Sequence, residues 1–435
     1  MQGNYEAPPE AAVEKAASLL SRLESLADES QLLAELDALS GDDVERLLHR
    51  RYGPVYLNLF SLFRQEMPAG KLREIAVHLT KAAIRSASTA ERWLARFPEN
   101  PLQFCLEGWQ PDALRTLLSR GRGLIVCSYR IGMYPLVPLD LGAMGFQVFL
   151  PLAEIKERTT KALDGLRDRV NASASLGAEE RHNLLSMSSI RLLDVEAKHT
   201  AIALLKALRK GGVVMIYVDG NNGVDGPWGE EGRIPVSFLR SSIHVKTGVA
   251  RLAWSLGAPI LPVVSFRNSH GSGGTVHVAD PIVPPDPNPA DRDGFVRASM
   301  QRLYDILEDY ASEYPEQWEG VSALHRWQHH GAPVAGHIAM PGEERANTVA
   351  AALQQGRRLY INERMGITAV PGEEGVWVDT NTMKCFRAPA SAQHLFSALA
   401  REGGVDQSWI DHQTPREPLL SLLATLYARK LITAA

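Results

Sequence analysis

Cysteine is nearly absent from this 435-residue chain, with three residues, Cys105, Cys127 and Cys385, widely spaced and odd in number. That usage excludes a disulfide framework and the paired ligands of a zinc ribbon. It suits a reducing compartment, so a cytoplasmic location is expected. A surplus of basic residues is missing too. The formal net charge is -4, so no global field draws the chain to nucleic acid or to an anionic membrane, although a local basic face is compatible with that sum. Long apolar runs are also lacking. The best candidate, "VARLAWSLGAPILPVVSF" at 249–266, is interrupted by Arg251, Gly257, Pro259 and Pro262. It falls short of the ~20 apolar residues of a membrane span and reads as helix, turn and strand. The N-terminus, "MQGNYEAPPEAAVEKAASLL", is acidic and helical where an export signal is basic and then apolar. A soluble protein with no integral membrane anchor is the expectation.

What remains is an ordinary globular composition, 45% hydrophobic and 22% charged, in a chain long enough for two or three domains. Residues 1–110 carry leucine and alanine at helical spacing, as in "AAVEKAASLLSRLESL" and "LLAELDAL", and predict an N-terminal helical region serving as scaffold. In "LSGDDVERLL", Ser40 is placed to cap a helix whose positive end Asp42 and Asp43 favour. Residues 111–335 alternate helical and strand patterns. "PDALRTLLSRGRG" is a helix closed by glycines, "LIVCS" a strand with both faces buried, and "FQVFL" the next strand. A long polar helical stretch at about 154–185 precedes "TAIALLKALRKGG", a helix with a cationic end and a glycine stop. "VVMIYVDG", "ILPVVSF" and "TVHVAD" are further strands, with the helix "TGVARLAWSLGAP" between the first two. This order predicts an α/β domain with a mostly parallel central sheet and helices on both faces. After "DPIVPPDPNP" and a helix at 291–312, the segment "QHHGAPVAGHIAMPGEE" reads as a linker. Residues 345–435 form a small separate unit, in which "VWVDTNTMKCFRAP" predicts two strands around an Asp379-Thr380-Asn381 turn.

Ligands of parallel sheets collect at the carboxyl ends of the strands. Three such ends supply Ser128, Tyr129 and Arg130, then Asp219, Asn221 and Asn222, then Arg267, Asn268 and His270. If the three strands are neighbours, these groups converge. The first end, "VCSYRIGMYPL" at 126–136, contains neither histidine nor carboxylate. Cys127 and Ser128 have no adjacent base, and the G-x-S-x-G elbow is absent. Cys127 is expected to point into the core, and Tyr129 and Tyr134 to pack or orient.

The series "GRGLIVCSYRIGMYPL", "ALRKGGVVMIYVDGNNG", "IPVSF", "KTGVARLAWSLGAPILPVVSF" and "YPEQWEGVSALHRW" resembles the lipid A late acyltransferase group of the lysophospholipid acyltransferase superfamily. The resemblance implies an α/β domain that moves an acyl group from an activated donor to a hydroxyl or amine. The group's motif is H-x-x-x-x-D/E, in which imidazole accepts the acceptor's proton and the carboxylate orients the ring. With Gly132 pinning the register, Arg130 stands at the histidine position and Pro135 at the carboxylate position. Arginine stays protonated and proline has no acid, so the family mechanism does not transfer. The resemblance also marks Asp219, Lys198 at the start of the preceding helix, and "IPVSFLR" as a wall of the acyl pocket. Residues 365–432 are similar to small winged-helix domains of the PqqD type, which implies peptide or carrier docking by strand addition.

Each candidate has two readings. Arg130 holds an anion or oxyanion, or makes a structural ion pair. Asp219 is a base that serves an incoming amine, or a turn residue of "VDGNNG". His325, His329 and His330 have helical metal-pair spacing, but no carboxylate completes a signature, and no metal or cofactor is expected. His199, His244 and His270 are lone histidines, any of which supplies a missing base. Lys156, Arg158, Lys161, Arg167, Arg169, Arg181 and Arg191 are solvated helix faces or a platform for an acidic carrier protein or tRNA. The expected catalytic set is Arg130, Asp219 and Lys198, with Ser128, Tyr129, Tyr134, Asn221, Arg267 and His270 binding substrate. The donor is an acyl carrier protein, a coenzyme A thioester or an aminoacyl-tRNA, and the acceptor is a small molecule. The alternatives are a non-catalytic acyl- or peptide-binding scaffold and an aminoacyl-tRNA-dependent transferase.

Overall fold

The computed structural model describes residues 29–86, 94, 106–174, 176–220, 231–239, 241–268, 273–285, 291–327 and 343–361, and short segments between 367 and 434. Cys105, Asn221, Asn222, His270, His329, His330, the segment 328–342 and the Thr380-Asn381 turn lie outside the described residues. The chain divides into two units, one of Met1–Leu47 with Leu62–Trp327 and the other of Leu48–Ser61 with Gln328–Ala435.

Helices lead the chain: α1 (Glu29–Ala38), α2 (Gly41–Leu47), α3 (His49–Phe63) and α4 (Ala69–Ser86). At α2 the Ser40 hydroxyl accepts from the Asp43 amide at 3.1 Å while the Asp43 carboxylate accepts from the Ser40 amide at 3.3 Å, a reciprocal capping box. Arg73 of α4 crosses to Glu45 and Asp42 of α2. α1, α2 and α4 fall in the unit that holds the sheet.

That sheet has six strands in the order β3-β2-β4-β1-β7-β8, made of β1 (Leu124–Ser128), β2 (Val148–Leu152), β3 (Arg191–Asp194), β4 (Val213–Tyr217), β7 (Ile260–Arg267) and β8 (Gly274–Val278). All pairings are parallel except that of β8 with β7. β1 has five buried residues and no solvent-facing one, a pattern only a central strand covered on both faces can keep. On one face Leu124, Val126, Val213, Met215, Leu261 and Val263 join the core with Leu163, Leu166, Leu184 and Met187. The latter four come from α7 (Glu157–Ala172) and α8 (Ala178–Ser188), which follow α5 (Pro111–Leu118) and α6 (Val137–Ala143). The alternate residues Ile125, Cys127 and Val214 are equally buried. On their side α9 (Thr200–Arg209) lies against β4 and β2, and α10 (Gly248–Leu256) against α9 and α11 (Arg292–Glu313).

The expected long helix at 154–185 is two helices, the first ending at Ser173, a residue type whose hydroxyl competes with helical hydrogen bonding, and the second beginning after Gly177, a poor helix former. The edge strand β3 gave no strand signal, being four residues with polar ends and partial exposure. "IPVSF" belongs to an antiparallel hairpin, β5 (Arg233–Phe238) with β6 (Ser241–Lys246). Gly257 closes α10 with φ 62, as expected of a glycine stop.

In the second unit α12 (Glu343–Gln354) precedes β9 (Leu359–Ile361), which pairs antiparallel with β13 (Ile432–Ala434). β10 (Ile367–Ala369), β11 (Val376–Asp379) and β12 (Lys384–Arg387) form an antiparallel sheet, including the pair expected from "VWVDTNTMKCFRAP". The short helix α13 (Gln407–Asp411) is capped by Asp406, whose carboxylate accepts from the Trp409 amide at 2.8 Å. Among the described residues no helix is long and apolar enough to cross a membrane.

Candidate active site

β1 opens between β4 and β7, so the three strand ends singled out in the sequence are neighbours. Ser128 is level with Tyr217 on one side and Val263 on the other. A later segment completes the edge. Residues 317–319 run antiparallel beside 130–132: the Gly132 amide donates to the Gln317 carbonyl at 3.0 Å and the Glu319 amide to the Arg130 carbonyl at 2.8 Å, with Ile131 paired to Trp318. On the other flank the Ser265 hydroxyl donates to the Ile131 carbonyl at 2.9 Å. The Gln317 side chain clamps Arg267, accepting from its amide at 2.8 Å.

This stitching explains Gly132. Its φ is +60, and a Cβ there would stand 2.6 Å from the Ser265 carbonyl oxygen and 2.7 Å from Phe266 Cα, both backbone atoms that cannot rotate away. Gly132→Ala is expected to cost roughly 2–4 kcal/mol, adding the left-handed penalty to a forced shift of β7. Gly121→Ala has φ +72 but open space and should cost only about 1 kcal/mol. Urea unfolding of the two variants side by side checks the difference.

Asp219 follows β4 in the 3-10 turn Val218–Gly220 and is fully buried. Both carboxylate oxygens accept from the Arg130 amide, each at 3.0 Å, and Oδ2 also accepts from the Trp318 indole at 3.1 Å. The Arg130 guanidinium answers by donating to the Asp219 carbonyl at 2.9 Å, with its Nε 3.9 Å from Oδ1. Burial pushes the Asp219 pKa up, while the Arg130 charge and the N–H donors pull it back; the net direction is upward. Trp318 and Asp219 leave no room beside them. A Cβ on Gly320 would come within 2.0 Å of Asp219 Oδ2.

The second carboxylate of the edge is Glu319, in the 3-10 segment Glu319–Arg326. Its Oε2 accepts from the Tyr134 hydroxyl at 3.1 Å and its Oε1 from the Ser86 hydroxyl at the end of α4. Burial raises the Glu319 pKa to about 7 against the opposing pull of those hydroxyls and of Arg267 and Arg130. Tyr134 stands edge-on to Tyr217, whose hydroxyl donates to the Tyr134 carbonyl at 3.1 Å. Burial raises the pKa of both phenols, so they act as hydroxyl donors near neutral pH.

Of the residues expected at the site, Arg130, Asp219, Tyr134 and Arg267 come together. Arg130 keeps 26% of its side chain exposed. Ser128 is buried and its hydroxyl meets no partner among the described residues. Tyr129 is fully buried and donates to the Leu303 carbonyl at 2.7 Å, which ties β1 to α11 and makes it a packing residue. Lys198 is exposed just before α9, in the connection from the edge strand β3, and no described contact links it to Arg130 or Asp219. Asn221 and His270 lie outside the described residues. His199 is exposed and His244 half-buried in β6. Cys127 is buried, which raises its thiol pKa. Among the described residues no group of histidine, cysteine, aspartate and glutamate is arranged to hold a metal. Part of the basic run is structural: Arg167 and Arg181 donate to the Ser188 and Val170 carbonyls, binding α7 and α8 to one another.

Gln317, Trp318, Glu319, Ser86 and Tyr217 were not anticipated. The first three lie in "YPEQWEGVSALHRW", which carried a signal for the fold but none for chemistry. Ser86 carried none at all.

The fold and edge geometry define an acyltransferase-like α/β domain. Residues 189–328 match the family model for bacterial lipid A biosynthesis acyltransferases. The match takes in Asp219, the β5–β6 hairpin, β7 and the 315–319 segment, and begins after Arg130. No curated protein matches the chain. The domain is therefore lipid A acyltransferase-like, and acyl transfer is the activity class it supports.

Proposed function

We propose that the protein is a soluble, cytoplasmic acyltransferase that moves an activated acyl or aminoacyl group to a small amine or hydroxyl acceptor, without the H-x-x-x-x-D/E pair. The observation that carries this reading is Arg130: a guanidinium fixed at the centre of the sheet's carboxyl edge, its Nη2 committed to the Asp219 carbonyl and its remaining surface partly open. A charge held in that way stabilises the oxyanion that forms when an acceptor attacks an acyl carbonyl. Asp219 in this scheme holds Arg130. Among the described residues every group bonded to its carboxylate is an N–H donor, which cannot accept a proton in return. Lys198, exposed ahead of α9, meets the anionic part of the donor, an acyl carrier protein, a coenzyme A thioester or an aminoacyl-tRNA. Residues 365–432 dock a peptide or carrier along the edge of the β10–β12 sheet.

A binding scaffold is the second reading, favoured by the complete occupation of the Asp219 carboxylate. The two separate in one assay. Catalytic amounts of protein are mixed with acyl carrier protein thioesters, coenzyme A thioesters or aminoacyl-tRNA, with and without a small amine. Acceptor-dependent loss of the activated bond over many turnovers is expected. Stoichiometric donor binding with no such release would leave the scaffold, and affinity for aminoacyl-tRNA alone that falls steeply with salt would single out that donor.

A further inference from the structure

Within the acyl-transfer reading, we propose that Glu319 is the terminal proton acceptor of the site, reached through the Tyr134 hydroxyl, and that it takes over the task for which 126–136 supplies no base. Two carboxylates stand at this edge, and their partners differ in kind. Asp219 is bonded to a backbone amide and an indole. Those donors are fixed, so a proton arriving on Asp219 would face N–H groups with nowhere to turn. Glu319 is bonded to two hydroxyls, Tyr134 and Ser86. A hydroxyl both donates and accepts, so a protonated Glu319 donates back along the same contact and the network stays satisfied in either state.

Position agrees with this chemistry. The Glu319 amide is bonded to the Arg130 carbonyl at 2.8 Å, so the acid is held one hydrogen bond from the residue that would carry the oxyanion. Tyr134 is half-buried while Glu319 is 8% exposed, so Tyr134 is the more exposed residue of the pair. The groups facing Glu319 are Ser86 from α4, Tyr134 from the 3-10 turn after β1, and the charges of Arg130 and Arg267 from the ends of β1 and β7. His78 interacts in turn with Arg267, Glu316 and Lys81.

The step balances without a further reactant. The amine nitrogen forms the C–N bond with the acyl carbon, and electrons move to the carbonyl oxygen against Arg130. The ammonium proton passes to the Tyr134 oxygen as the phenol proton moves to Glu319. On collapse the bond to the leaving group breaks, and the proton returns from Glu319 to that group.

The test uses the full chain, the donor found active in the assay above and methoxyamine as acceptor, a free base across the range studied. In the wild type, kcat/KM should rise with pH through a midpoint near that of Glu319, about 7, because only the carboxylate form accepts a proton. Glu319→Gln should lower kcat/KM by roughly 10²–10⁴-fold and abolish the rise. Ser86→Ala removes one donor that favours the carboxylate and should move the midpoint to higher pH; it decides the matter if Glu319→Gln does not fold. A rise retained in Glu319→Gln, or unmoved in Ser86→Ala, overturns the assignment while leaving acyl transfer intact. Absence of transfer by the wild type would instead remove the reading on which it rests.

Discussion

Asp219→Asn is expected to lower the unfolding free energy of the sheet-bearing unit by about 3–5 kcal/mol, the usual consequence of removing one partner from a buried, hydrogen-bonded charge pair. Both carboxylate oxygens face N–H groups, the Arg130 amide on each and the Trp318 indole on one. Whichever way an asparagine amide turns, its NH2 opposes a donor, and Arg130 loses its counter-charge. Against a typical stability of roughly 5–15 kcal/mol, the variant should fold but unfold at clearly lower urea concentration. A midpoint unchanged from wild type would mean that the carboxylate anchors nothing. Loss of activity in this variant must be read beside that stability change, because displacement of Arg130 and loss of a reacting group produce the same silence.

The second large effect separates those causes. Arg130→Lys keeps the charge and the backbone bond to Asp219, and gives up the planar fork that lets Nη2 bind the Asp219 carbonyl at 2.9 Å while Nε stays buried 3.9 Å from Oδ1. Stability should stay near that of the wild type. Turnover of whichever donor the wild type accepts should fall about 10²–10³-fold in kcat, the scale of losing one oxyanion donor, with a much smaller change in KM. Activity within about threefold of wild type would show that charge alone suffices there and that Arg130 does not cradle an oxyanion.

The architecture was legible where local pattern carries it. Four apolar residues at 124–127 demand a central strand, and glycine at 257 demands a helix stop; both follow from chemistry within a few residues. The convergence of Ser128, Asp219 and Arg267 needed one more fact, that β4 and β7 flank β1. The assignment of tasks was not legible. Asp219 announced itself as an acid at a strand end, but whether its neighbours donate or accept depends on Trp318, which lies 99 positions away. Glu319 sat in a quoted motif without declaring a role, since its partners are separated from it by 185 and 233 positions. Burial decides the rest: Tyr129 and Tyr134 look equivalent in sequence, yet one is locked against α11 and the other stands at the edge.

The antiparallel seam of 317–319 with 130–132 also sets a schedule for synthesis. A ribosome releases the chain from its N-terminus, and Gln317, Trp318 and Glu319 emerge last among the residues of the edge. Until they arrive, the carboxyl end of β1 has no covering strand, Asp219 lacks its indole and Ser86 its acid. A nascent chain thus exposes an unfinished cleft from the emergence of β7 until residues 317–319 follow, and chemistry can begin only once the first unit is almost entirely out of the tunnel.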